Sequence, residues 1–175
     1  MCQSCSTSAA APSPSEAAVQ PTPRADRLRV LVVDDRYDAG RALARLLSME
    51  GHSAIAVFTA AGAVEAARSG PIDLLVCEIR LPDASGLDLL DRVRAACLTT
   101  SASHPIQGIA VTVYSTAADR AATRAAGFAA HLVKPVCWTD VLAAVDCLTG
   151  RTVAGADRVP APVPVDLADA VVEAR

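Results

Sequence analysis

Between residues 28 and 148, short aliphatic runs alternate five times with helix-periodic stretches, and no other feature of this chain limits its fold so sharply. Leu28–Val33 (LRVLVV) is a continuous apolar run, after which Tyr37–Glu50 places Leu43, Leu46 and Leu47 on one helical face until Gly51 stops the helix. Ser53–Phe58 (SAIAVF) reads as a second strand, and Thr59–Ser69 as a second helix with Thr59 as N-cap and Gly70-Pro71 as its stop. Leu74–Glu78 (LLVCE) is a third strand, followed by a helix marked by Leu87, Leu90, Val93 and Cys97. Gln107–Val113, a helix over Ala117–Ala126, the strand Ala130–Val133 and a helix carrying Val141, Leu142, Val145 and Leu148 complete the series. Strands that are apolar throughout and alternate with helices predict an α/β domain with a parallel sheet covered on both faces. Right-handed crossovers make a doubly wound sheet the natural arrangement for five units.

The flanks differ in kind. Residues 1–26 and 149–175 are rich in Pro, Ala, Ser and Val, too poor in bulky apolar side chains to offset ordering entropy. They read as tails around a domain at 27–148, although DLADAVVEAR at the far end has the pattern of a short amphipathic helix. With 19 acids against 16 bases the net charge is −3, which argues against binding along a nucleic-acid backbone, and 3% aromatics are too few for a base-stacking platform. No apolar run reaches membrane-spanning length and the N-terminus lacks the pattern of a secretory signal, so the expectation is a cytoplasmic protein without membrane contact. Six cysteines in such a chain do not imply a disulfide scaffold. Cys77, Cys97, Cys137 and Cys147 are expected as small buried hydrophobes. Cys2 and Cys5 supply two of the four ligands a structural zinc needs, and His52 and His104 show no supporting spacing.

Ligands of doubly wound sheets bind beyond the carboxyl ends of the strands. Asp34 and Asp35 end the first strand, Glu78 the third, Thr112 lies near the end of the fourth, and Lys134-Pro135 follows the fifth. A parallel sheet brings these ends to one edge, so three carboxylates, a hydroxyl and an ammonium are expected in one shallow pocket. Hard oxygen ligands of this kind suit Mg²⁺ beside a phosphoryl group. Lys134 is the only lysine among 16 basic residues. A chain that otherwise uses Arg keeps Lys here, as a site needing a compact point charge requires.

In order and spacing, VLVVDD, DLLVCEIRLPDASG, IAVTVYS and HLVKP resemble the receiver domain of bacterial response regulators over about residues 28–148. The resemblance implies a flavodoxin-like fold with strand order 2-1-3-4-5 and phosphoryl transfer from a histidine kinase or phosphotransfer protein. It implies Asp34 and Asp35 as the acidic pair that organises Mg²⁺, Thr112 and Lys134 as phosphoryl-sensing groups, and a cis peptide bond before Pro135. His131 stands where the family carries a swinging Tyr or Phe, and an imidazole adds pH sensitivity there. Arg80 and Tyr114 take positions that flank the pocket and tune phosphoryl lifetime, although Arg80 has Glu78 and Asp83 as alternative partners. The face of the fourth helix, fifth strand and fifth helix serves the family for output and dimer contacts, which makes a homodimer an expectation.

One position departs from the family. The phosphoacceptor is aspartate there and Glu78 here, while Pro82 and Gly86 keep their spacing, so the alignment has not slipped. The extra methylene moves the carboxylate by up to about 1.5 Å, and misplacement near 1 Å costs on the order of a hundredfold in rate. The leading expectation is a stand-alone, non-enzymatic receiver-like signalling protein, acting by protein contact, with phosphorylation lost or impaired and Mg²⁺ binding weakened at Asp34, Asp35 and Glu78. The alternatives are a receiver using Glu78 as a poor acceptor, and a Mg²⁺-dependent phosphohydrolase with Asp34 as nucleophile, which would need a substrate cap that the first strand's connection is too short to supply.

Overall fold

The computed structural model describes residues 27–97 and 105–149. Five strands and five helices alternate along the chain: β1 (Arg29–Val33), α1 (Tyr37–Met49), β2 (Ser53–Val57), α2 (Ala60–Ser69), β3 (Leu74–Cys77), α3 (Leu89–Ala96), β4 (Gln107–Thr112), α4 (Ala117–Ala125), β5 (Ala130–Val133) and α5 (Trp138–Thr149). All strands are parallel, in the order β2-β1-β3-β4-β5. This is the flavodoxin-like doubly wound sheet that the sequence predicts. The two tails, with Cys2, Cys5 and the terminal amphipathic stretch, lie outside the described residues, as does His104.

Strand alternation sorts the core into two layers. Val30, Val32, Leu74, Val76, Ile109 and Val111 face Ala44 and Leu47 of α1 and Val141 and Val145 of α5. Leu31, Val33, Leu75, Cys77 and Ala110 face the other way, onto alanines of α2 and Leu89, Leu90 and Val93 of α3. The inner strand β3 is therefore buried at every residue, but β2 and β5 at the edges are not, and Ile55 of β2 is 49% exposed. A sheet covered fully on both faces holds only for its centre, because each edge strand has a neighbour on one side alone.

Thr59 caps α2 as expected, accepting from the Gly62 N–H at 3.1 Å. Gly51 ends α1 with φ of 92°, a conformation that favours glycine. Helix α3 starts two residues later than Leu87, whose N–H is instead taken by the Ser85 hydroxyl at 3.2 Å. Cys77 and Cys97 are buried, but Cys137 and Cys147 are exposed, because Cys137 precedes α5 and Cys147 lies on its outer side.

Candidate functional site

The carboxyl ends of β1, β3 and β5 converge on one ionic cluster. Lys134 Nζ donates to Asp34 Oδ2 at 2.6 Å and to Glu78 Oε2 at 2.9 Å. Both acids are buried, at 5% and 6% exposure, and the lysine side chain is 15% exposed. The remaining oxygens are also engaged: Asp34 Oδ1 accepts from the Arg36 N–H at 2.9 Å, and Glu78 Oε1 from the Ile79 N–H at 2.7 Å. Burial works against the charge on Lys134, yet its hydrogen bonds to the two carboxylates and their attraction outweigh that, and its pKa is raised. Burial, then the neighbouring charges of Glu78 and Asp34, push the Cys77 thiol up, which keeps it protonated and inert.

Local backbone structure holds the lysine and the glutamate in place. The peptide bond Lys134-Pro135 is cis, and the Lys134 N–H donates to the Thr112 carbonyl at 2.7 Å. After Glu78 the chain folds back in a tight loop, with the Gly86 N–H on the Ile79 carbonyl at 2.7 Å. A Cβ at Gly86 would lie 2.3 Å from the Glu78 carbonyl oxygen, so this approach requires glycine. Asp83, in the same loop, accepts from the Ala60 and Ala61 N–H groups at 2.8 Å each, tying the loop to the start of α2. Those two backbone hydrogen bonds hold its carboxyl below the usual range.

The expected five-group pocket forms only in part. Asp34, Glu78 and Lys134 meet, while Asp35 is exposed beside its buried neighbour Asp34. Thr112 is fully buried, and its hydroxyl oxygen accepts from the Tyr114 N–H at 3.4 Å, with no bond to the ionic cluster. Among the described residues no three acids, histidines or cysteines gather into a metal-holding group. Each oxygen of Asp34 and Glu78 already accepts a hydrogen bond, so a Mg²⁺ here would have to share these carboxylates with the Lys134 ammonium, 2.6 Å from Asp34 Oδ2.

The groups flanking the cluster have partners that the sequence left open. The Arg80 guanidinium lies 4.9 Å over the Tyr114 ring, not against Glu78 or Asp83. His131 is held at both nitrogens, with Nε2 2.9 Å from the Tyr114 carbonyl and Nδ1 2.9 Å from the Thr123 hydroxyl. Thr123 was not marked by the sequence. Its one signal is a hydroxyl at the inward position of an otherwise alanine-lined helix.

Comparison with known proteins follows the same motifs. The model of the response regulator receiver domain matches residues 30–146. The chain belongs to this family. Receiver domains are signalling domains of two-component response regulators, and in general they hold Mg²⁺ at the phosphorylation site. The transcriptional regulatory protein KdpE of Mycobacterium tuberculosis is 32% identical over 128 residues, covering 73% of this chain and 54% of the relative. Response regulator protein PmrA of Pseudomonas aeruginosa is 33% identical over 125 residues, covering 71% and 54%. This receiver domain chain thus spans about half the length of the curated relatives it matches. A two-component response regulator from Clostridium difficile shares the fold with a TM-score of 0.63 at 22% identity, over 71% of this chain and 97% of that one. No helix among the described residues is long and apolar enough to cross a membrane.

Proposed function

We propose that this receiver domain takes its signalling conformation from the Glu78–Lys134 ion pair instead of from a phosphoryl group, and that it works by protein contact. The supporting observation is that both Glu78 oxygens are committed in a buried site, one to Lys134 and one to the Ile79 N–H. To attack a phosphodonor, one oxygen must give up a charge-assisted bond worth about 1.5–3 kcal/mol and face solvent. Lys134 then marks a permanent carboxylate where a receiver's lysine marks a transient phosphoryl group. Glu carries one negative charge against about two on a phosphoaspartate, so the mimicry is partial.

In this reading Thr112 and His131 retain the family's sensing places, and Asp34 serves as an anchor for Lys134. A carbonyl only accepts, so His131 Nε2 carries a hydrogen toward Tyr114 and Nδ1 accepts from the Thr123 hydroxyl. The partners are a histidine kinase, a phosphotransfer protein or another signalling protein, with α4, β5 and α5 as the contact face and a homodimer through that face. With a net charge of −3 and few aromatics, the reading involves no nucleic acid. Asp34 has both oxygens bonded and is buried, which speaks against a phosphohydrolase nucleophile.

The test is Mg²⁺ and beryllofluoride titration of the native chain and of Glu78→Asp, with mass analysis after incubation with a small phosphodonor. Glu78→Asp shortens the side chain, frees space beside Lys134, and is expected to bind both ions and become labelled while the native chain does neither. Equal binding by the two proteins, or stoichiometric label on Glu78, contradicts the reading and favours Glu78 as a slow acceptor.

A further inference from the structure

Helix α4 is seated unlike the other helices. Among its residues Ala117–Ala125 only Thr123 is buried, at 2% exposure, and every apolar side chain it carries is an alanine. The buried Phe128 lies beyond the helix end. Beside the helix is a cavity of about 60 Å³ with Arg120, Thr123, Phe128 and His131 among its walls. A helix with so few apolar groups gains little from burial.

We propose that the Thr123–His131 hydrogen bond, and not apolar packing, holds α4 on the sheet, which makes Thr123 a positioning residue for the α4-β5-α5 face. The bond spans 2.9 Å between a buried hydroxyl and an imidazole whose other nitrogen is fixed on the Tyr114 carbonyl. The ring therefore cannot turn outward without breaking two bonds, and α4 cannot leave without breaking one of them. Tyr114 in turn lies under the Arg80 guanidinium, two residues after Glu78, so this latch adjoins the ionic cluster through a stacked side chain. The inference holds whether or not Glu78 accepts a phosphoryl group.

Thr123→Val separates the two explanations, because valine keeps the shape, adds an apolar methyl and removes only the hydroxyl. Thr inside a helix gains nothing from its bond back to the preceding turn, so the helix itself is not weakened. Hydrogen exchange followed by mass spectrometry on the full chain reads the outcome in peptides covering residues 116–127. Thr123→Val and His131→Phe are each expected to speed exchange there about tenfold, which corresponds to about 1.4 kcal/mol. Thr123→Ser is expected to stay within about twofold of the native chain, the double variant is expected to match either single one, and peptides from β1 and β3 are expected to be unchanged. Exchange in Thr123→Val that is unchanged or slower would mean that packing holds the helix, and the proposal fails. It fails equally if Ser behaves as Val does, or if β1 and β3 accelerate by the same factor, since Thr123 would then support the domain as a whole.

Discussion

Replacing Lys134 by methionine keeps most of the side-chain volume and removes the charge, leaving Asp34 and Glu78 buried at 5% and 6% exposure with no cation between them. Removing one partner of a buried ion pair costs about 3–5 kcal/mol, because the remaining charge is desolvated and unanswered. Here two carboxylates are stranded, so the upper part of that range applies, against a total stability of about 5–15 kcal/mol for a domain of this kind. At about 3–5 °C per kcal/mol for a domain slightly above 100 residues, the melting temperature is expected to fall by roughly 15–20 °C. Adding Glu78→Gln to Lys134→Met removes one of the two stranded charges and is expected to recover about half of the loss. The pH dependence gives a second reading of the same interaction. Lys134 has a pKa raised above its unfolded value of 10.5, so its contribution is complete below that pH and is lost as the pH rises through the folded value. Urea unfolding of the native chain and of Lys134→Met across neutral to strongly alkaline pH should therefore show two midpoints that approach each other only above about pH 10.5. A difference below about 1 kcal/mol at neutral pH, of the size found for exposed pairs, would refute the reasoning, since water would then be replacing the ammonium in an open site.

Two further outcomes follow from the loop that carries Glu78. Gly86→Ala places a methyl 2.3 Å from the Glu78 carbonyl oxygen. The backbone must move, at a cost of about 1–3 kcal/mol or more, and because Glu78 itself is displaced, the alkaline transition attributed to Lys134 should shrink in the same variant; thermal melts at two pH values check both. Asp83→Asn weakens the hold on the Ala60 and Ala61 N–H groups. Since the Asp83 carboxyl is held below 3.8, its contribution is present above that pH and lost as the pH falls through the folded value. Native and variant urea midpoints should thus differ at neutral pH and converge in acid, and a gap that persists in acid would count against the contact.

The fold was legible because each element declared its period. Val30–Val33 and Leu74–Cys77 are apolar at every position, as inner parallel strands must be, and Thr59, Gly51 and Gly70 marked ends that the backbone respects. The edge character of β2 was hidden, because SAIAV reads as apolar as an inner strand and strand position depends on pairing across the whole sheet. At the site, the grouping of Asp34, Glu78 and Lys134 followed from strand ends alone. What did not follow was direction: of the adjacent residues Asp34 and Asp35 one is buried and the other exposed, and Arg80, with Glu78 and Asp83 as its expected partners, lies over Tyr114 instead. Thr123 was invisible for a different reason. A hydroxyl on the inward face of an alanine helix has meaning only once the imidazole of His131 is seen opposite it. Cys137 and Cys147 failed as buried residues because their apolar sequence neighbours, not the cysteines, face the sheet.

The charge pair between Glu78 and Lys134 is complete as soon as the chain is folded. Under the proposal that this pair, and not a phosphoryl group, sets the signalling conformation, phosphorylation would add nothing to the domain's state. Control would then pass to synthesis and degradation, and the message would be an abundance instead of a modification.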